Sequence, residues 1–348
     1  MTLIYDATFD KNTRKLAFED KAGNEIYSFT VPKRAPTVDD ITKPLTFRAT
    51  QDGSTVKLVK DGSPSGAFQT SRDGGNTWAD YTIGTAITLN TGDEVSFRAK
   101  ADRTSEQYNW EYFYFKTTGK IEAWHNVMSL YRANDFATYN TVVSYAFYQL
   151  FYGCTSLTKA PALPVTKLSY GCYSRMFYTC SSLTEAPALP ATTLASRCYN
   201  SMFSMCTSLT KAPALPATTL ATECYWIMFN GCLSLTEAPV LPATTLAGGC
   251  YKTMFYACSS LTKAPALPAT TLATECCWSM FNGCASLKEV RISATTIAPN
   301  AKDVLTDWLS GVPGTGDFYC NPNATIFPTG KSGIPRGWRR LNINDYPN

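Results

Sequence analysis

The sequence predicts an α+β multidomain chain: a leucine-rich solenoid of 26-residue strand-plus-helix coils preceded by a small all-β, sandwich-like domain. Three observations predict it. Several residue columns recur at one fixed interval. Each interval pairs a proline-bearing extended half with a half that has helical spacing. The N-terminal third alternates short apolar runs with Gly, Asp, Asn and Pro.

The repeat is the strongest signal, because internal periods of this length mark stacked architectures. Cys154, Cys180, Cys206, Cys232, Cys258 and Cys284 lie 26 residues apart. The same step relates Cys172, Cys198, Cys224, Cys250 and Cys276, the Phe column from Phe151 to Phe281, and the Leu column from Leu157 to Leu287. One unit reads CTSLTKAPALPATTLATECYWIMFNG from Cys206 to Gly231. Its SLTKAPALP half is extended, since Pro213 and Pro216 forbid a helix and restrict the residues before them. Its LATECYWIMFNGC half has the spacing of a short helix. Thr222 is placed as N-cap, Gly231 as C-cap, and Cys224 and Met228 share a face four residues apart. A single unit cannot bury its apolar side, but stacked copies can.

Comparing the copies separates inward from outward positions. Leu209, Ala212, Leu215, Leu220, Cys224, Met228, Phe229 and Cys232 hold their character from unit to unit and are assigned to the core. The pairs Ser174–Arg175, Asn200–Ser201, Trp226–Ile227, Lys252–Thr253 and Trp278–Ser279 vary and are assigned, at least in part, to the surface. Lys159, Glu185, Lys211, Glu237, Lys263 and Glu289 alternate in sign. In-register stacking would set opposite charges about 4.8 Å apart on neighbouring strands. A slip by one coil would oppose like charges, so the column disfavours that register.

Five segments follow. Residues 1–36 read as a hairpin, TLIYDATF and EIYSFTV around KAGN, and a linker, KRAPTVDDITKP, that runs on to Pro44. Residues 37–118 read as a small β-sandwich built from LTFRAT, TVKLV, AFQTS, AITLN, EVSFRAK and YFYFKTT. Residues 119–150 form the N-terminal cap, with AFYQLFYGC as a degenerate helix of the repeat type. The repeats occupy 151–290. Residues 291–348 form the C-terminal cap, including a helix over PNAKDVLTDWLSGV capped by Asn300, then FYCNPNATIF and GIPRGW.

Composition narrows the function. The net charge is +4 over 348 residues, with no basic stripe beyond Arg336, Arg339 and Arg340, so nucleic acid is not expected as a partner. No apolar run reaches the length of a membrane span. The N-terminal MTLIYDATFDKNTRKLAFEDKAG lacks a secretory pattern. Of 13 cysteines, all but Cys277 and Cys320 belong to the two columns. Their 18-then-8 spacing is not that of a zinc site, which leaves core packing, disulfides and metal as readings, with packing favoured. His125 is the only histidine and has no flanking motif. No phosphate loop, dinucleotide loop or nucleophile motif is present. No catalytic residue, cofactor or metal is therefore assigned. Ser71–Trp78, SRDGGNTW, matches the S-x-D-x-G-x-T-W Asp-box of sialidase-like propellers, where the motif holds a hairpin turn. One box does not make a propeller.

The pattern MFxxCxSLTxAPxLPATTLAxxCY over about residues 145–290 resembles the BspA-like leucine-rich repeats of gut bacteria and their phages. That resemblance implies an adhesin, host-interaction protein or phage appendage part, and no catalytic residues. The expectation is a virion-associated or extracellular binding protein of the tail-fibre or receptor-binding type. Its partners would be a host surface protein or polysaccharide and other virion or surface proteins, with homo-oligomerisation compatible. A bacterial surface adhesin whose export signal has been removed is the alternative, and a glycan-active enzyme the third reading. The candidate ligand-binding residues are Trp226 and Trp278, with the column Tyr173, Tyr199, Tyr225 and Tyr251, because outward aromatics are good anchors for proteins and sugar rings.

Overall fold

The computed structural model describes residues 6–10, 15–30, 38–60, 67–102 and 112–346. Its first element is a three-stranded antiparallel meander, β1 (Asp6–Asp10), β2 (Lys15–Glu19) and β3 (Glu25–Thr30). KLAFE is thus a third strand between the two that the sequence predicts. Asp20 closes the second turn, its carboxylate accepting from the Ala22 and Asn24 backbone N–H groups at 2.8 and 2.9 Å. Residues 2–5 of the first expected strand and 33–37 of the expected linker lie outside the described residues.

The next eight strands are β4 (Thr46–Ala49), β5 (Ser54–Lys60), β6 (Phe68–Ser71), β7 (Ala79–Tyr81), β8 (Ile87–Leu89), β9 (Glu94–Ala99), β10 (Phe113–Thr118) and β11 (Ile121–Trp124). They make two sheets, one ordered β10-β5-β8, the other β11-β4-β9-β6-β7. Phe47, Phe97 and Phe115 meet with ring centroids 4.6–5.7 Å apart. The larger sheet does not stop at β11. Strand β12 (Leu157–Lys159), from the first coil, pairs parallel to it. Phe151 then stacks on Phe115 at 5.5 Å. The sandwich and the coils thus share one core.

The coils stack, but not as strand-plus-helix units. Among the described residues there is no α-helix; the only helical segments are two 3-10 turns, Val127–Leu130 and Ile343–Asp345. The α+β solenoid expectation is therefore wrong, and the protein is nearly all β. The caps assigned to Thr222, Gly231 and Asn300 cap no helix. Each expected helix is instead a ribbon of consecutive β-turns. Met176, Tyr178 and Cys180 donate their N–H groups three residues back, to Tyr173, Arg175 and Phe177, at 3.1 Å each. The residues between them donate forward to the next coil: Arg175 to Asn200 at 2.8 Å, Phe177 to Met202 and Thr179 to Ser204 at 2.9 Å. Many of these forward donors have positive φ, including Arg175 (55°), Thr179 (60°), Ser201 (53°) and Ile227 (61°).

The spacing of the coils explains the ribbon. Phe151, Phe177, Phe203, Phe229, Phe255 and Phe281 form a column of parallel rings 5.3–5.8 Å apart. Packed helices need about 8–10 Å between axes. A helix on one side of each coil would force the stack apart and break that column. A flat ribbon keeps the close spacing and satisfies its backbone through the neighbouring coil. The strand half keeps the same register, with parallel bridges Glu185 to Lys211, Lys211 to Glu237, Thr193 to Thr219 and Thr219 to Thr245.

The Leu, Phe, Met and first-Cys columns are 0–1% exposed throughout. Burying one such apolar side chain contributes roughly 1.5–3 kcal/mol. The Phe column ends on Trp308, 6.3 Å from Phe281, which packs against Phe318 and Phe327. Here β13 (Thr271–Leu272) pairs with β15 (Thr296–Ile297), and β14 (Glu289–Arg291), β16 (Asp317–Cys320) and β17 (Arg339–Asn342) form a parallel sheet ordered β14-β16-β17. The expected helix over 299–312 is one more turn of ribbon, held by Trp308 Nε1 donating to Gly333 O at 2.9 Å. Two members of the basic cluster are engaged in this cap, Arg339 pairing with Asp317 at 2.6 Å and Arg340 donating to Ala324 O, while Arg336 is exposed.

Candidate functional site

Of the predicted ligand residues, the tyrosine column is not at the surface. Tyr173, Tyr199, Tyr225 and Tyr251 are each 1% exposed and stack on one another 6.0–6.2 Å apart. They are a second aromatic column inside the ribbon and cannot meet a ligand. Burial drives their hydroxyl pKa values up, and the Tyr173 hydroxyl is buried without a hydrogen-bond partner. Trp226 and Trp278 are half-buried on the outer side of the ribbon. They share a column with Lys252, which lies between them, its Nζ 5.5 Å from the Trp226 ring and 3.9 Å from the Trp278 ring. The same ammonium pairs with Glu275 at 2.8 Å. A cation thus occupies the space between the two indoles. Other variable positions are less open than their variability implies: Ser174, Asn200, Ser201 and Ser279 are buried, and Arg175 is exposed.

A different set of aromatics is open to solvent. Tyr145, Tyr152 and Tyr170 are 37%, 42% and 38% exposed. They lie on the ribbon of the first two coils with Tyr148 and Tyr178, and Tyr112 joins them from the start of the β10 segment. Tyr145 meets Tyr170 at 5.3 Å and Tyr148 at 6.0 Å, both edge to face. Tyr112 meets Tyr148 at 4.7 Å, and Tyr152 stacks on Tyr178 at 5.2 Å. The Tyr145 ring lies over Gly171, where a Cβ would come within 2.8 Å of it. A pocket opens beside the cluster between sandwich and coils, lined by Leu58, Phe113, Leu130, Tyr131, Phe147 and the cluster's own Tyr112, Tyr145 and Tyr148. Arg197 lies 6.0 Å from the Tyr170 ring and pairs with Glu223. Tyr145, Tyr148 and Tyr170 break the columns, so a reading built on repeated positions passes over them. Tyr145 and Tyr148 stand where the next coil has Gly171 and Ser174, and Tyr170 where the next has Ser196. That departure from the repeat was the available signal.

The remaining chemistry is structural. All thirteen cysteines are buried free thiols. In the first column each Sγ from Cys180 on donates to the Phe carbonyl of the coil before, as Cys180 to Phe151 and Cys206 to Phe177, both at 3.1 Å, and Cys154 donates to Phe115 O of β10. Burial pushes the thiols of Cys154, Cys172, Cys224 and Cys284 up to about 12, so they stay protonated. Among the described residues no group of three or more His, Cys, Asp or Glu side chains is placed to hold a metal.

In the Asp-box, Asp73 accepts from Ser71 Oγ and Thr77 Oγ1 at 2.6 Å and from the Asn76 and Thr77 N–H groups at 3.0 Å. Those bonds lower its pKa, hydrogen bonding from Ser71 first, and leave it a turn-holder rather than an acid. Trp78 donates to Gly75 O and is covered by Arg98 at 4.2 Å. His125, with φ 69° and 7% exposed, joins sandwich to coils. Its N–H donates to Asp39, its Nδ1 accepts from the Asp40 N–H at 3.1 Å, and its carbonyl accepts from Ala162.

Comparison with family models, with curated proteins and with solved structures finds no match to this chain.

Proposed function

We propose that this chain is a non-enzymatic binding protein of the adhesive type, contacting a host surface protein or polysaccharide as part of a phage virion appendage. The observation that supports it is the contrast on the ribbon face. Inward columns repeat and are shut, while Tyr145 and Tyr170 break the repeat and, with Tyr152, hold large aromatic rings in solvent. Large aromatics on a rigid frame are what binding surfaces use. The resemblance of the repeats to BspA-like sequences points the same way. The hydrogen bonding of the Asp-box argues against a glycan-active enzyme, because its carboxylate is committed to the turn.

The test is to incubate the intact chain with a panel of gut bacterial cells and measure both retention and release of reducing sugar. Saturable retention on some strains without sugar release is expected. Retention on none, or turnover abolished by one carboxylate substitution, overturns the reading.

A further inference from the structure

We infer that the tyrosine cluster at the joint between sandwich and coils is a saccharide-binding site that takes a polysaccharide chain along the stacking axis. The inference rests on the binding reading above and specifies its site and ligand class. The cluster concentrates Tyr145, Tyr148, Tyr152, Tyr170 and Tyr178 on two coils, with Tyr112 beside them from the sandwich. The next coil offers Arg197, Asn200 and Ser204 at the matching positions.

Nothing in the packing of the stack requires these rings to be tyrosine, since Gly171 and Ser174 serve the same backbone positions one coil later. Three of the rings are more than one-third exposed, at a cost in apolar hydration that the fold itself does not repay.

The chemistry of the surface selects the ligand. A tyrosine offers a flat apolar face and a hydroxyl at its edge, which matches a pyranose ring with C–H groups on its faces and hydroxyls around its rim. Tyr152 and Tyr178 lie 5.2 Å apart and 3° from parallel, so their faces cover each other and the stack turns ring edges and hydroxyls to solvent at the coil step, where they can hydrogen-bond successive sugars. Arg175, exposed in the same turn as Tyr178, and Arg197 with its partner Glu223 supply charged hydrogen-bonding groups at the edge. The pocket beside Tyr112, Tyr145 and Tyr148 gives the chain a place to end or branch.

The experiment is titration of the intact chain with soluble dextran, mannan and xylan as neutral probes and alginate as an acidic one, beside the whole-cell assay. The variants are Tyr145→Ala with Tyr170→Ala, Tyr152→Ala with Tyr178→Ala, and Tyr170→Phe; Leu233→Ala, an exposed apolar position outside the cluster, is the control. Saturable binding to at least one polymer is expected. Each double variant weakens it about tenfold or more, the scale of losing stacked aromatic contacts, with the melting temperature kept and the control unchanged. Tyr170→Phe keeps the ring and isolates the hydroxyl, so binding held by stacking survives it even where a double variant unfolds. Neutral or acidic preference identifies the sugar; either one supports the site.

Cell binding that both double variants retain in full overturns this site and leaves the binding function standing. Cell binding abolished by protease treatment of the cells, with no polymer bound, overturns the saccharide class alone. No binding to polymer or cell overturns both.

Discussion

The thiol of Cys206 donates to the carbonyl oxygen of Phe177, one coil earlier, at 3.1 Å. The same bond recurs from Cys232 to Phe203, from Cys258 to Phe229 and from Cys284 to Phe255. The Phe carbonyl already accepts one turn bond within its own coil, and the thiol fills its second lone pair. A small, weakly polar donor fits a site where a hydroxyl would be costly to desolvate and a methyl would donate nothing. Cys206→Ala is therefore expected to lower unfolding free energy by about 1–2 kcal/mol, measured by denaturant titration. In the native protein none of the thirteen thiols should react with a thiol reagent; one that reacts rapidly without unfolding refutes the closed column.

Ala257 sits at φ 57° in a column that holds glycine at 153, 231 and 283. A left-handed conformation costs a non-glycine residue roughly 1–2 kcal/mol, partly offset by the greater freedom glycine has in the unfolded chain. Ala257→Gly should raise stability by about 0.5–1 kcal/mol. The reverse change, Gly231→Ala, should lower it, since the new Cβ would come within 2.5 Å of the Met205 sulfur. Melting curves of the two variants moving the same way would contradict the ribbon geometry.

Lys252 is the centre of the Trp226–Trp278 column. Removing it should change indole fluorescence while costing only about 0.5–2 kcal/mol, the range for a partly screened cation–π contact. An emission spectrum for Lys252→Ala identical to that of the parent would show that the ammonium does not lie between the rings in solution.

His125 sets a pH dependence. Burial, its largest influence, lowers its pKa from 6.5; Lys43 lowers it further, while Asp39, Asp40 and Glu94 oppose the shift. The unfolded chain then takes up a proton near pH 6.5 before the folded chain does. The contribution is full above that value and is lost as pH falls towards the folded pKa. Protonation at Nδ1 also displaces the Asp40 N–H. His125→Asn tolerates the positive φ and keeps an acceptor, so its stability should fall less steeply below pH 6.5 than that of the parent. Parallel pH profiles for the two proteins would remove His125 from this role.

The amino-acid sequence alone determined that the Leu, Phe, Met and Cys columns face inward and that the units stack in register, while the tyrosine column it placed outside is buried and Ala212 and Leu220 are only half-buried. The reason is that burial of a fixed apolar column leaves an imprint at every copy, and Leu209, Cys224, Met228, Phe229 and Cys232 all lie in the core. It also marked the Asp-box turn, whose bonds are local. Only the tertiary structure decided the path between those residues. The spacing of Cys224, Met228 and Cys232 suits a helix face, yet it suits a ribbon of turns as well, and the choice fell to the 5.3–5.8 Å between Phe rings of adjacent coils. The alternating Lys–Glu column shows the same division. Its backbone register was legible, but among the described residues only Lys263 and Glu289 close to an ion pair, at 3.4 Å, because exposed side chains gain little by ordering. Whether an aromatic residue is core or surface was decided by the same contacts. Tyr225 stacks between Tyr199 and Tyr251, and Tyr170 has only an edge to rest on, a difference that arises between coils and is written in no single one.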